Sequence, residues 1–342
     1  MFSLGRARTR SLVAAGIRAG IAAAIAASCV TLAPRSATAF CRTTTTPIPA
    51  SFSPTGGCYK EGLALFWRGA CVSYSVNSKA SADIPLAEAR RVIDQAFATW
   101  NSVACGATPR VGIATSNIGE SACAQVKYNQ YGPNQNVVIF RDDGWPYSDP
   151  NNTLGLTTVT FNAENGEIFD ADMEINSSGK NLSTSDTVPA NGFDLLSVIT
   201  HEAGHFLGLA HATDNKATMF ASYKPGTSAL RTLSADDGAG LCEIYPTTSA
   251  RRVDKSVAAN GALPADACDA TPRHGFGPDS CDGNPAPAES GSSGGCAVVA
   301  GPPPESILVP GLSTMALGLL ALHRTRRTRR TRRTRRARRP LR

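Results

Sequence analysis

The 342-residue sequence predicts an α+β fold, and three observations carry that expectation. Residues 72–76 alternate as a strand, 136–140 form a short apolar run, and 154–161 are β-rich. Residues 84–100 are apolar at 89, 92, 93, 96, 97 and 100, the spacing of one helix face. Two more helices follow. Residues 193–200 place apolar side chains at helical spacing ahead of a histidine-rich run, and 233–245 open with Ser234 and two acidic residues before turning apolar. Strands and helices of this kind fit one globular domain of about 200 residues.

The densest chemistry lies at the end of the second helix. His201, Glu202, His205, Gly208 and His211 fit H-E-x-x-H-x-x-G-x-x-H at every fixed position. Residues four apart on a helix share a face, so His201 and His205 can aim ring nitrogens at one metal ion. Glu202 projects beside them, able to take a proton from a metal-bound water without being a ligand. Gly208 lets the backbone leave the helix and return His211 as a third nitrogen ligand. Three protein ligands leave one position open, which distinguishes a catalytic zinc site from a structural one. The chain has five histidines and three of them fall in this motif, so coincidence is a poor explanation.

With Met219 eight residues beyond His211, the chain resembles the matrixins, the matrix-metalloproteinase-like metzincin proteases, across roughly 60–246. The resemblance implies a zincin-like architecture: a twisted, mixed five-stranded sheet with an edge strand over the substrate cleft, an active-site helix beneath and a small C-terminal subdomain. It makes Met219 the Met-turn residue under the metal, a place that suits an unbranched, polarisable side chain. Tyr223 would stand in the wall of the pocket for the side chain after the cut bond. Residues 154–161 take the place of the edge strand, so Gly155, Leu156 and Thr157 become substrate-binding positions, because an extended peptide can add to exposed strand backbone. Helices 84–100 and 233–245 correspond to the first and closing helices of the family.

Departures narrow what the resemblance implies. Matrixins hold a second, structural zinc through further histidines, but His274 and His323 are the other two here and fall outside the catalytic region. One catalytic zinc is therefore expected. Asp170 matches a calcium ligand of the family, whereas Ile168 stands where a zinc histidine would be and Met173 where a calcium-binding glutamate would be. Calcium held by Asp170 and Glu174 competes with a plain solvated acidic turn, and the sequence leaves both open. The family's inhibitory cysteine segment is missing, and residues 40–58 are too few for a folded inhibitory domain.

Both ends of the chain read as addresses. Residues 1–39 have a basic head, an apolar middle and Ala37-Thr38-Ala39, the pattern of a secretory signal cut after Ala39. From 247 to 305 the chain is rich in Ala, Pro, Gly and Ser, as a linker or stalk would be. Residues 306–322 are apolar and of marginal membrane-spanning length, followed by an arginine-rich tail to 342 that marks a cytoplasmic side. Gly294-Gly295-Cys296, the apolar segment and the basic tail together resemble C-terminal sorting tails of the myxobacterial type, with Cys296 as the sorting cysteine. With 1–39 and 306–342 set aside, 17 basic and 27 acidic residues remain. The rest is acidic, which argues against a nucleic-acid partner.

Ten cysteines fit an oxidising compartment. Without Cys29 of the signal and the sorting Cys296, eight remain. Cys105–Cys123 and Cys268–Cys281 are the nearest expected pairs, and the partners of Cys41, Cys58, Cys71 and Cys242 are left open; Cys41 as a zinc thiolate is a rival use. The reading that follows is a secreted or surface-anchored, monomeric zinc endopeptidase acting on protein or peptide substrates, reaching the membrane through its C-terminal segment before processing. The rival is an inactive surface-binding protein on the same scaffold. Glu202 separates them, because a decayed site would lose its base before all three ligands.

Overall fold

The computed structural model describes residues 39–49, 51–108, 110–247 and 269–279, with short strands at 252–253, 257–258, 293–296 and 299–300. Residues 1–38 of the expected signal, Cys268, Cys281, and the apolar and basic segments from 306 onward lie outside the described residues. Among the described residues no helix is long and apolar enough to cross a membrane.

The catalytic region contributes five strands to one sheet: β1 (Cys71–Asn77), β2 (Ala114–Ser121), β3 (Val137–Phe140), β4 (Gly155–Phe161) and β5 (Ile168–Ile175). In space they run β4-β5-β3-β1-β2. The β5–β3, β3–β1 and β1–β2 pairs are parallel and β4 is antiparallel to β5. The sheet is thus mixed, with β4 at one edge of the five. A sixth strand, Ser293–Cys296, lies antiparallel on that edge.

Helix α1 (Leu86–Asn101) buries Ala89, Val92, Ile93, Ala96, Phe97 and Trp100, the positions its periodicity marked. Tyr74 of β1 stacks on Phe97 with ring centroids 3.9 Å apart. The Trp100 indole N–H donates to the Thr200 carbonyl at 2.8 Å, fixing α1 against helix α2 (Leu195–Phe206). Burying an apolar side chain of this size contributes about 1.5–3 kcal/mol, and the indole hydrogen bond spares a buried donor. Helix α3 (Ala235–Ile244) starts at a capping box in which Ser234 and Asp237 bond each other's backbone N–H.

One expected disulfide is corrected, one open pairing is filled, and part of the expected linker packs on the catalytic region. Cys105 is bonded to Cys242, not to Cys123, and ties the loop after α1 to α3 across a separation of 137 residues. Cys41 is bonded to Cys58, so no Cys41 thiolate is available to a metal; Cys71 and Cys123 are also disulfide-bonded. Nor is 247–305 a linker throughout. Within 269–279, Asn134 bridges to Phe276, the Arg273 guanidinium lies 4.1 Å over the Phe169 ring, and Arg273 pairs with Glu167 at 3.5 Å. That stretch is part of the domain surface.

Candidate metal centre and active site

Helix α2 begins at a buried ion pair. Asp194, its N-cap, accepts from the Ser197 backbone N–H at 2.9 Å and hydroxyl at 2.7 Å. Arg231 grips the same carboxylate through Nε at 2.8 Å and Nη2 at 2.6 Å. A capped N-terminus with a forked arginine contact sets where the helix starts and how it is oriented. Phe193 and Asp194 form a short strand with Leu182–Ser183, so the helix starts two residues later than the apolar run suggested.

The helix carries His201, Glu202 and His205, all buried. Just past its end comes Gly208, whose φ of +92° is a conformation that L side chains rarely adopt. A Cβ there would also come within 2.9 Å of the Leu65 carbonyl oxygen. The chain then forms the short strand Leu209–Ala210, paired with Cys41–Arg42, and delivers His211, half-buried.

The ligand atoms of His201, His205 and His211 lie within 4.8 Å of one another, the one such group of three or more metal-ligating side chains among the described residues. His201 Nδ1 donates to the Thr218 carbonyl at 2.7 Å and His205 Nδ1 to the Leu209 carbonyl at 2.8 Å. A carbonyl only accepts, so both protons sit on Nδ1 and both Nε2 atoms carry lone pairs. Those two Nε2 atoms are 3.1 Å apart. Two lone pairs at that distance repel unless a cation lies between them, and ligand nitrogens 2.0–2.1 Å from one tetrahedral ion are separated by about 3.4 Å. The residues fit zinc. Burial, with the neighbouring imidazoles, holds His201 down to about 3 and His205 well below the usual histidine range, so both rings are neutral, as metal ligands must be.

The floor is built on a second glycine. A Cβ on Gly204 would lie 2.2 Å from Met219 Sδ and 2.8 Å from Trp100 Cζ2, so Met219, 1% exposed, fits beneath the helix only because Gly204 has no side chain. The turn carrying Met219 is held from α3, where Asp237 accepts from the N–H groups of Thr218 at 2.8 Å and Met219 at 3.1 Å. Ala212 N–H donates to the Met219 carbonyl at 2.7 Å, which keeps the His211 loop beside that turn.

On the opposite wall, β4 turns Gly155 and Thr157 inward and leaves Leu156 half-buried. The Thr157 hydroxyl donates to Glu202 Oε2 at 2.7 Å. A Cβ on Gly155 would come within 2.7 Å of Glu202 Oε1. The carboxylate is therefore steered by a hydroxyl on one side and given room by a glycine on the other.

A matrixin family model matches residues 66–246, more than half of the chain. The chain belongs to the matrixin family. Metalloendoproteinase 1-MMP of Arabidopsis thaliana is 28% identical over 189 residues, covering 55% of this chain and 46% of the relative. Metalloendoproteinase 1 of Glycine max is 32% identical over 157 residues, covering 46% and 45%. Matrix metalloproteinase-20 of Homo sapiens is 26% identical over 179 residues, covering 52% and 32%. The chain spans less than half the length of each of these relatives.

Other residues of this matrixin domain were harder to foresee. Tyr223 is buried, and its hydroxyl donates to the Thr227 carbonyl and accepts from the Asp194 N–H, so it ties the segment after Met219 to the cap of α2. The acidic segment is not a solvated turn. It is strand β5, with Asp170, Asp172 and Glu174 at most 2% exposed. Glu174 is held by Arg141 Nη2 at 2.5 Å and by the Tyr147 hydroxyl at 2.5 Å. Asp172 accepts from the Lys127 and Val137 N–H groups, and Asp170 is buried close enough to Asp172 to feel its charge. An arginine thus stands where the calcium reading put a metal beside Glu174. Sequence reasoning missed Arg141, Arg231 and Asp237, since each acts on a residue distant in the chain.

Proposed function

We propose that this chain is a zinc-dependent endopeptidase that hydrolyses peptide bonds in proteins outside the cytoplasm, with Glu202 as its general base. The observation that carries the reading is the pair of Nε2 atoms 3.1 Å apart on His201 and His205, beside a carboxylate held by Thr157. When bound by His201, His205 and His211, zinc supplies Lewis acidity to a carbonyl and makes water a stronger acid. Glu202 takes a proton from the attacking water and returns it to the leaving amine, acting first as base and then as acid. Thr157 holds one oxygen of that carboxylate, and Gly155 adds no side chain against the other. The outer backbone edge of β4, along which Ser293–Cys296 lies, is one on which an extended peptide gains main-chain hydrogen bonds with little demand on its sequence. Tyr223 lines the side of the cleft beyond the cut bond.

Export is supported by the signal-like 1–39 and by disulfides that belong in an oxidising compartment. We read 306–342 as an address that engages the membrane before processing, Cys296 as its sorting residue, and the working enzyme as a monomer. Calcium is given no role in the chemistry, because Arg141 already compensates Glu174.

The test is zinc content together with cleavage of a peptide library, comparing the wild-type chain with Glu202→Ala. Wild type should hold zinc and cleave, and the variant should hold zinc and not cleave. Turnover by Glu202→Ala near the wild-type level, or a zinc-loaded wild type that cleaves nothing, would overturn the reading.

A further inference from the structure

Both walls of the cleft are filled by one short stretch of the chain itself. Ser293–Cys296 pairs antiparallel with β4 in the register Ser293↔Thr160, Gly294↔Val159, Gly295↔Thr158 and Cys296↔Thr157. Val299–Ala300 then pairs parallel with Ser222–Tyr223. The first pairing advances along β4 toward the residue that holds Glu202 and stops there, since Thr157 donates to Glu202 Oε2 at 2.7 Å. The second lies just past the turn whose Thr218 carbonyl accepts from His201 at 2.7 Å. Three peptide bonds join Cys296 to Val299 in the sequence. The two paired strands therefore fix the ends of this three-bond link, one on the strand that holds Glu202 and one just past the turn that holds His201.

From this geometry, and resting on the peptidase reading above, we propose that the enzyme hydrolyses its own chain at one of the three bonds between Cys296 and Val299. The cut would sever the apolar and basic segments beyond residue 300 from the catalytic domain. A peptide pinned by main-chain pairing on both sides of a site is held at high effective concentration. Gly294 and Gly295 have no side chains to obstruct the approach to β4. In the reaction the oxygen of water bonds to the carbonyl carbon and the carbon–nitrogen bond breaks. One water proton passes through Glu202 to the leaving nitrogen, and the other is lost as the new carboxyl ionises. The products are a carboxylate on the domain and an α-amino group on the released tail. No oxidant or further reactant is needed.

The experiment uses the full chain, purified in the presence of a chelator and then given zinc. Intact-mass analysis and N-terminal sequencing should detect a tail fragment beginning at Ala297, Val298 or Val299, with a first-order rate unchanged on about 100-fold dilution. Glu202→Ala should stay whole. Adjacent strand residues turn their N–H groups to opposite sides, so proline at both 294 and 295 must remove one that faces β4. The double variant Gly294→Pro/Gly295→Pro should cleave itself at least about 10-fold more slowly while still cleaving an added peptide. Hydrogen exchange supplies a readout that needs no metal: the β4 amides at 157–160 should exchange more slowly in the intact chain than in the double variant. The proposal is overturned if the zinc-loaded chain stays whole while cutting an added peptide, if the rate rises with concentration, if the cut maps outside 296–299, or if exchange at 157–160 is the same in both chains. A chain that cuts neither itself nor any peptide fails at the peptidase reading instead, and this proposal falls with it.

Discussion

The histidine cluster and strand β5 both crowd polar side chains into the interior, and they resolve the cost in opposite ways. In β5 the buried Glu174 meets Arg141 and Tyr147, so its charge is compensated within the protein. In the cluster, His201 and His205 spend their protons on backbone carbonyls and turn two lone pairs toward each other. At Glu174 the charge is answered within the protein, whereas the paired histidine lone pairs call for a cation. Acidic residues in a row do not make a metal site when a cationic side chain already answers them; convergent donors whose own partners force their lone pairs together do.

The largest effect that bears on this contrast concerns chemistry rather than ligation. Glu202→Ala should lower kcat/KM by about 10²–10⁴-fold or more with zinc content and folding unchanged. A variant that loses its zinc would make Glu202 a ligand and dissolve the distinction between base and metal site.

Arg141→Ala attacks the compensated charge. It leaves Glu174 buried with its cation removed, which should cost about 3 kcal/mol of unfolding free energy, read from urea denaturation. Added calcium should not restore that loss; full recovery in calcium would show that β5 is a cation site after all.

A subtler change sits beside the base. Gly155→Ala sets a methyl group against the Glu202 carboxylate and should reduce kcat/KM by about 10–100-fold through misplacement, again with zinc retained. An unchanged rate would mean that the carboxylate has no fixed working position.

The smallest effect is a pH dependence in β5. Burial first, and then the charge of Asp172, raise Asp170 well above the usual carboxylate range; burial raises Asp172 to about 7. Acids whose folded pKa is raised stabilise fully below their unfolded value of about 3.9, and lose that contribution as pH rises through the folded value. Stability should therefore fall between about pH 4 and pH 8, and Asp170→Asn should flatten the fall by about 1 kcal/mol. A variant less stable than wild type at pH 8 would show that ionised Asp170 is wanted there.

What was legible in the sequence was local. The fixed spacing of His201, Glu202, His205 and His211 needs only a helix and a turn, and α1 buries the six positions that its periodicity marked. What was not legible depends on distant partners. Cys105 bonds to Cys242, 137 residues away, although Cys123 is far nearer in the chain. Strand β2 was missed because its Thr, Ser, Asn and Glu residues give little apolar alternation. Strand β5 read as an acidic turn or a calcium segment, since nothing near it in sequence announces Arg141 opposite Glu174. The same limit hid Arg231 at the cap of α2 and Gly155 beside Glu202. In both cases the reason for the residue lies across the fold.

Metal stoichiometry tests the central contrast most directly. Native mass spectrometry of the chain dialysed against zinc and calcium together should find one zinc and no calcium per molecule, with the zinc lost in His201→Ala/His205→Ala and kept in Asp170→Asn. Zinc that survives loss of both histidines, or a calcium ion that disappears with Asp170, would contradict it.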